Sequence, residues 1–203
     1  MNIQTLIEQR ASSNHFDRHR SLSPAQIELL ASLAGRSPSA FHLQNWQFIA
    51  VQTAEAKARL AKLAFGQHKV EAAAVTFIIC GTLNAHRQLA QTLEPMVAAG
   101  QLPATVSQSW QQMATAALEQ RVRAQRDEAI RSASLAAMTL MLAAEGMGLA
   151  SCPMSGFDAQ GLSLAFGLAP EVLPVMLLPV GYAAEGNWPQ KPRKPLAEIL
   201  RFA

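Results

Sequence analysis

The sequence is poor in the residue types that carry hydrolytic, metal-dependent or nucleic-acid chemistry. Charged residues make up only 15% of its 203 positions, and the net charge of +3 is not gathered into runs. No basic run alternates with aromatics, so the electrostatic footprint of a nucleic-acid binder is missing. Cysteines number two, Cys80 and Cys152, far apart and in apolar settings, with no CxxC or Cys/His metal spacing. The five histidines, His15, His19, His42, His68 and His86, show no ligand spacing either. There is no GxSxG and no P-loop, and the loop stretches hold almost no Asp or Glu. An enzyme without paired acids, an activated nucleophile or a metal must take its chemistry from a cofactor. Long apolar runs are also absent. The longest, residues 133–144, is interrupted by Ser134 and Thr139 and closed by Glu145. It falls short of the ~20 residues a membrane span needs. No signal peptide opens the sequence, so a cytoplasmic protein with reduced thiols is expected.

Apolar residues, by contrast, make up 50% of the chain, with alanine and methionine prominent and aromatics at 6%. That is apolar for a monomer of this size, and burial of extra surface against a second copy, a homodimer, is the economical explanation. Apolar spacing predicts a helix over residues 2–9. Ser23 and Pro24 read as N-cap and first position of a second helix ending at Gly35. Residues 46–51 read as a strand, and Thr53 as the cap of a helix running to about Phe65. Gly66 to Val70 reads as a break. The β-branched run 75–80 reads as a buried strand. Pro103 should start a helix continuing to Gln125. Residues 132–146, apolar on nearly every face, suit a core or subunit interface. Met138, Met141 and Met147 read as core filler. After Gly146 and Gly148 come a short extended piece, a helix capped by Asp158, and a strand over 175–180 whose Pro179 suggests an edge or bulge. The whole reads as one α+β domain over residues 1–203, with about four strands and a helical excursion at about 84–125.

What the loops offer is donors for an anionic ligand. Arg10 and Ser12 follow the first helix, and Lys191 and Arg193 lie in a proline-stiffened tail. Guanidinium and hydroxyl groups suit phosphate oxygens, although solvated surface charge is the plainer reading of spacing alone. The stretch 37–48 is a small, polar loop feeding a strand, with Trp46 expected to anchor it in the core. Residues 152–156 offer backbone N–H groups in a turn.

Taken in order, these pieces resemble the FMN-dependent nitroreductase family. Arg10-Ala-Ser12-Ser-Asn14-His-Phe16 is similar to its opening motif. Pro38-Ser39-Ala-Phe-His42-Leu-Gln44-Asn45-Trp46 is similar to its Pro-Ser loop, and Gly66-Gln67-His-Lys69 to its amide-bearing turn. Pro153-Met-Ser-Gly156-Phe157 follows Gly148-Leu149, and Gly181-Tyr182 precedes the Lys191-Pro-Arg193 tail. The resemblance implies a nitroreductase-like fold: a mixed four- to five-stranded sheet surrounded by helices, in an intertwined homodimer. It implies FMN held by Arg10, Ala11, Ser12 and Asn14, with Lys191 and Arg193 closing on the phosphate. Pro38, Ser39, His42 and Gln44 would come from the partner subunit. Gln67 and Lys69 would reach the pyrimidine edge, and Pro153, Met154, Ser155 and Gly156 would lie against the ring system. Phe41 and Asn14, with the helical middle around Met96 to Met113, would shape the acceptor pocket. The implied activity is ping-pong electron transfer from NADH or NADPH to nitroaromatic or quinone-like acceptors, carried by the flavin and not by a catalytic side chain. The alternative is a flavin-binding or flavin-processing protein of the same fold with weak or no NAD(P)H turnover. Ala11, Asn14, His42, Asn45 and Ser155 depart from the family pattern. Ala11 and Asn14 stand in place of basic residues, His42 of an asparagine, Asn45 of a proline and Ser155 of a frequent acidic residue; the loss of positive charge near the pyrimidine end should lower the flavin potential.

Overall fold

A computed structural model describes residues 2–203. Its centre is β2 (Val75–Thr82), whose first seven residues are all buried. Strand β2 pairs on one side with β1 (Trp46–Val51) and on the other with β4 (Val172–Gly181), and the short β3 (Ala150–Ser151) adds to β4. The order is β1-β2-β4-β3, and every one of these pairs is antiparallel. The parallel component of the expected mixed sheet is confined to an isolated bridge between Ser12 and Ser151.

Both faces of the sheet are covered, which explains why the 75–80 run is continuously apolar and does not alternate. On one face Phe77, Ile79, Leu178 and Val180 pack with Leu30 of α2 (Pro24–Ala34) and with Ala137, Leu140 and Ala144 of α7 (Val122–Gly146). On the other, Ile78, Cys80 and Leu177 meet Leu60 of α3 (Ala54–Leu63), Val70 of α4 (His68–Ala72) and Leu162 of α8 (Ala159–Ala165). Helix α7 lies so close to β2 that a Cβ on Gly81 would fall 2.5 Å from the Ala129 carbonyl oxygen. A smaller third core joins α5 (Leu89–Ala98) and α6 (Ala104–Leu118) through Leu89, Leu93, Ala114 and Leu118, with Leu43.

The helix starts form as capping chemistry predicts. Asn2 caps α1 (Ile3–Gln9), Ser23 and Gln26 form a reciprocal capping box, and Thr53 and Asp158 accept from the backbone N–H three residues on. Elsewhere the structure departs from the sequence-based expectation. The helix expected over 104–125 stops at Leu118, because Gln120 turns left-handed at φ 58°, and α7 begins at Val122. The supposed break after Gly66 holds the one-turn helix α4. Met138 is exposed, whereas Met141 is buried as core filler. The register irregularity in β4 lies opposite Ile79/Cys80, between Pro174 and Met176, and not at Pro179. The Pro179 carbonyl accepts from Cys152 N at 3.1 Å, so its donor-less nitrogen faces the side where β3 has already ended. The tail from Trp188 onward is exposed, and includes the short helix α9 (Leu196–Ile199). Among the described residues, no helix is long and apolar enough to cross a membrane.

Candidate functional site

The chain leaves α1 through Arg10 and runs beside β3 and the end of β4. Ser13 N donates to Ser151 O at 3.0 Å, Asp17 N to Tyr182 O at 2.9 Å, and Phe16 bridges Ala183. Phe16 is buried against the far end of β4, where Gly181 lets the strand approach Ala74: a Cβ there would sit 2.8 Å from Ala74 N. The Arg10–Phe16 segment is thus held on the sheet edge with Ser12 and Asn14 exposed.

Three further segments converge on it. Lys69 Nζ donates to Asn14 Oδ1 at 2.9 Å, and Gln67 Nε2 donates to Gly156 O at 3.1 Å. Asn14, Gln67 and Lys69 line a cleft of about 570 Å³ with His15, Arg18 and His68. In the 153–156 turn, Met154 exchanges both backbone hydrogen bonds with Leu177. Among the described residues no hydrogen bond occupies the N–H groups of Ser155 and Gly156, both exposed. The tail arrives through Gln190, whose Nε2 donates to Arg10 O at 2.7 Å and whose Oε1 accepts from Arg193 at 2.7 Å. The tail thus reaches Arg10 through Gln190, with Arg193 held on that amide, while the Lys191 ammonium lies 5.1 Å from the Trp188 ring centroid.

Electrostatically the group is cationic and incompletely satisfied. Arg10 Nη1 is buried with no hydrogen-bond partner among the described residues. A buried, unpaired guanidinium nitrogen costs free energy unless an anion completes it. Glu145, near the end of α7, has its pKa raised by burial, and the charge of Arg10 opposes that rise only in part. These donors fit a phosphate at the Arg10 end and a hydrogen-bonding heterocycle at the Asn14–Lys69 end.

The second set of expected residues lies elsewhere in the chain. Pro38, Ser39, Phe41 and His42 line a separate cleft of about 390 Å³ with Met96 of α5 and Trp110 of α6. This brings Phe41 together with the helical middle. Met113 does not line that cleft, and Asn14 belongs to the first one. The loop around Ala40–His42 is conformationally tight: Phe41, His42 and Gln44 have φ of 51°, 61° and 47°. Ser39 Oγ accepts from Gln44 N at 2.9 Å, Gln44 Nε2 lies 3.0 Å from His42 Nε2, and Ser37 Oγ lies 2.7 Å from Thr139 Oγ1. Trp46 is only half-buried on the wall of a third cleft; Leu43 and Asn45 are the buried residues that fasten the loop. Trp46 opens edge strand β1 opposite Gly81, so it has a strand neighbour on one side only. No hydrogen bond or shared cleft joins the Pro38–Gln44 loop to the Arg10–Lys69 group among the described residues.

Two residues of the site are not evident in the sequence. Asn187 Oδ1 accepts from Asn14 N at 2.7 Å and His15 N at 3.0 Å, while its Nδ2 donates to His15 O and Ala184 O. Gln190 is the other. Their one sequence signal is a pair of amides among the prolines of a tail otherwise noticed for its cations.

Comparison with known proteins bears on the family and the fold. The model of the Nitroreductase family matches residues 7–182. A Bacillus subtilis protein named "Putative NAD(P)H nitroreductase MhqN" is 30% identical over 199 residues, 97% of each chain. Among solved structures, that of a Bacillus subtilis protein described as "putative nitroreductase ydfN" superposes with a TM-score of 0.92, at 30% identity and 98% coverage of both chains. One from Exiguobacterium sibiricum, described as a "putative nitroreductase in complex with FMN", superposes with a TM-score of 0.91 at 27% identity, covering 100% of this chain and 98% of that one.

Proposed function

The chain belongs to the nitroreductase family, and from that premise we propose that it holds FMN and passes electrons from NADH or NADPH to nitroaromatic or quinone-like acceptors in a ping-pong cycle. The observation that carries the reading is the buried, partnerless Arg10 Nη1, set beside Ser12 and the Lys191–Arg193 tail. When bound, FMN supplies hydride exchange at N5. The protein's own residues position and polarise it. Arg10, Lys191 and Arg193 would neutralise the phosphate while Ser12 donates its hydroxyl to it, Gln67 and Lys69 would donate to the pyrimidine edge, and the free N–H groups of Ser155 and Gly156 would face the ring system. Solved relatives support the cofactor: one carries FMN.

The working unit is a cytoplasmic homodimer in which the Pro38–Gln44 loop of one subunit completes the Arg10–Lys69 site of the other. The two residue sets occupy separate clefts within a single chain, which supports this. So does the exposure of Leu29 and Leu33 on α2 and of Leu135 and Met138 on α7.

A second reading, a protein that holds or processes flavin with weak NAD(P)H turnover, is favoured by one contact. Asn14 stands where the family pattern has a basic residue, and it engages the Lys69 ammonium. Less positive charge then faces the pyrimidine edge. Purification tests both readings. The protein should be yellow, with flavin absorbance that bleaches anaerobically on addition of NADH or NADPH and returns with menadione. A colourless protein that takes up no added FMN would overturn the flavin site; bound flavin that never bleaches would leave the second reading.

A further inference from the structure

Beside the Asn14–Lys69 cleft lies a smaller one of about 290 Å³ that the flavin site does not use. Its polar wall comprises Arg18, Arg20, Ser21, Gln52, Thr53 and Lys57, and Arg18 lines both clefts. The fold places these residues firmly. Arg18 to Ser21 follow the buried Phe16, and Thr53 caps α3 with Lys57 one turn further on. The Arg20 guanidinium carbon is 3.2 Å from the Tyr182 ring centroid, a cation–π contact that fixes the head group. Lys57 Nζ donates to Ala73 O at 2.8 Å, which leaves two ammonium hydrogens free. Thr53 Oγ accepts from Ala56 N, so its own O–H remains available.

The three cations have no carboxylate within 4 Å among the described residues. Burial lowers the pKa of Lys57, and the positive charge of Arg18 lowers it further; Glu71 counters only in part. Like charges therefore converge on one concave site with only partial compensation. Such a site is made favourable by a dianion with three acceptor oxygens.

We infer that this cleft binds a phosphomonoester, and that it takes the 2′-phosphate of NADPH when the dinucleotide approaches the flavin held in the adjoining cleft, making NADPH the preferred donor. The donor assignment rests on the flavin reading above; the phosphate site itself does not.

Calorimetry on the FMN-loaded protein separates the sources, using 2′,5′-ADP, 5′-AMP and inorganic phosphate as probes. The 2′-phosphorylated nucleotide should bind about tenfold or more tightly than 5′-AMP, the scale of one charge-assisted contact. It should also bind more tightly than inorganic phosphate. Lys57→Gln should erase that preference and raise KM for NADPH about tenfold while leaving kcat and the KM for NADH unchanged. Arg20→Gln, at an exposed loop position, should do the same and covers the case in which the Lys57 variant fails to fold. Equal binding of 2′,5′-ADP and 5′-AMP, or variants that bind all three probes as the wild type does, would overturn the site. Inorganic phosphate binding as tightly as 2′,5′-ADP, with equal use of NADH and NADPH, would overturn the donor assignment. A protein that retains no flavin but still prefers 2′,5′-ADP would fail the flavin reading while sustaining the phosphate site.

Discussion

Asn187 satisfies four backbone groups with one side-chain amide, fastening Asn14 and His15 to the turn after β4. Asn187→Ala should therefore destabilise the protein by about 1–3 kcal/mol, the scale for stranding such groups. It should also release FMN during gel filtration. Thermal melts with and without added FMN check both effects. Glu145 makes the opposite case. Burial holds its folded pKa above the unfolded value, so its ionisation opposes folding as pH rises through that range. Glu145→Gln should raise the melting temperature near neutral pH, and the gain should vanish below the ordinary carboxylate pKa, where both states of the wild type carry the proton. The same variant removes a negative charge near Arg10 and should tighten FMN. At this scale the sequence was legible where chemistry is local, as with Arg10 and Ser12 beside a helix end. It was not legible for Asn187, three of whose four hydrogen bonds go to residues more than 170 positions away and leave no local pattern. His42 falls between these cases. Its place in the loop could be read, but its φ of 61° could not. Asparagine adopts that left-handed conformation readily, which accounts physically for asparagine in the family pattern there.

Helices and strands were readable in proportion to how far short-range signals decide them. Ser23, Thr53 and Asp158 mark helix starts because their side chains accept from N–H groups three residues on. The break between α6 and α7 carries no Gly or Pro, and depends on Gln120 adopting a left-handed conformation that the flanking helices impose. Trp46 was expected in the core from its type alone, but its place at the start of an edge strand leaves it on an open wall. The contact of α7 with β2 is likewise tertiary and yields a sharp prediction. Gly81→Ala places a methyl group against Ala129 backbone, which cannot give way as a side-chain tip could. It should cost about 1–3 kcal/mol by denaturant titration. At the other end of the excursion, Glu119 ties α6 to His86 and Arg87 before α5. The Arg87 and His86 hydrogen bonds depress its pKa to about 2, against burial, which raises it. Its stabilisation is complete above the ordinary carboxylate range and is lost as pH falls from there towards 2. Glu119→Gln should flatten that part of the stability–pH curve.

For the whole molecule, the decisive feature is that one chain carries the two sets of expected site residues on separate clefts. The Arg10–Lys69 group has a buried guanidinium nitrogen without a partner, and the Pro38–Gln44 loop keeps three non-glycine residues at positive φ. Each such residue costs of order 1–3 kcal/mol and persists where surrounding contacts enforce it, commonly at functional sites. A shared dimer site makes sense of both features, and subunit mixing tests it. Arg10→Ala disables the first half and Ser39→Glu the second, and each homodimer should bind FMN poorly. Unfolding and refolding the two together gives heterodimers. If the site is shared, every heterodimer contains one site in which both halves are intact and one in which both are damaged. With random pairing half the dimers are mixed, so binding should return to about one quarter of the wild-type stoichiometry. If each chain instead builds its own site, every site in the mixture keeps one damaged half, and no binding returns. Leu135→Glu with Met138→Glu, on the exposed face of α7, should abolish that recovery by preventing association, as sedimentation would show directly.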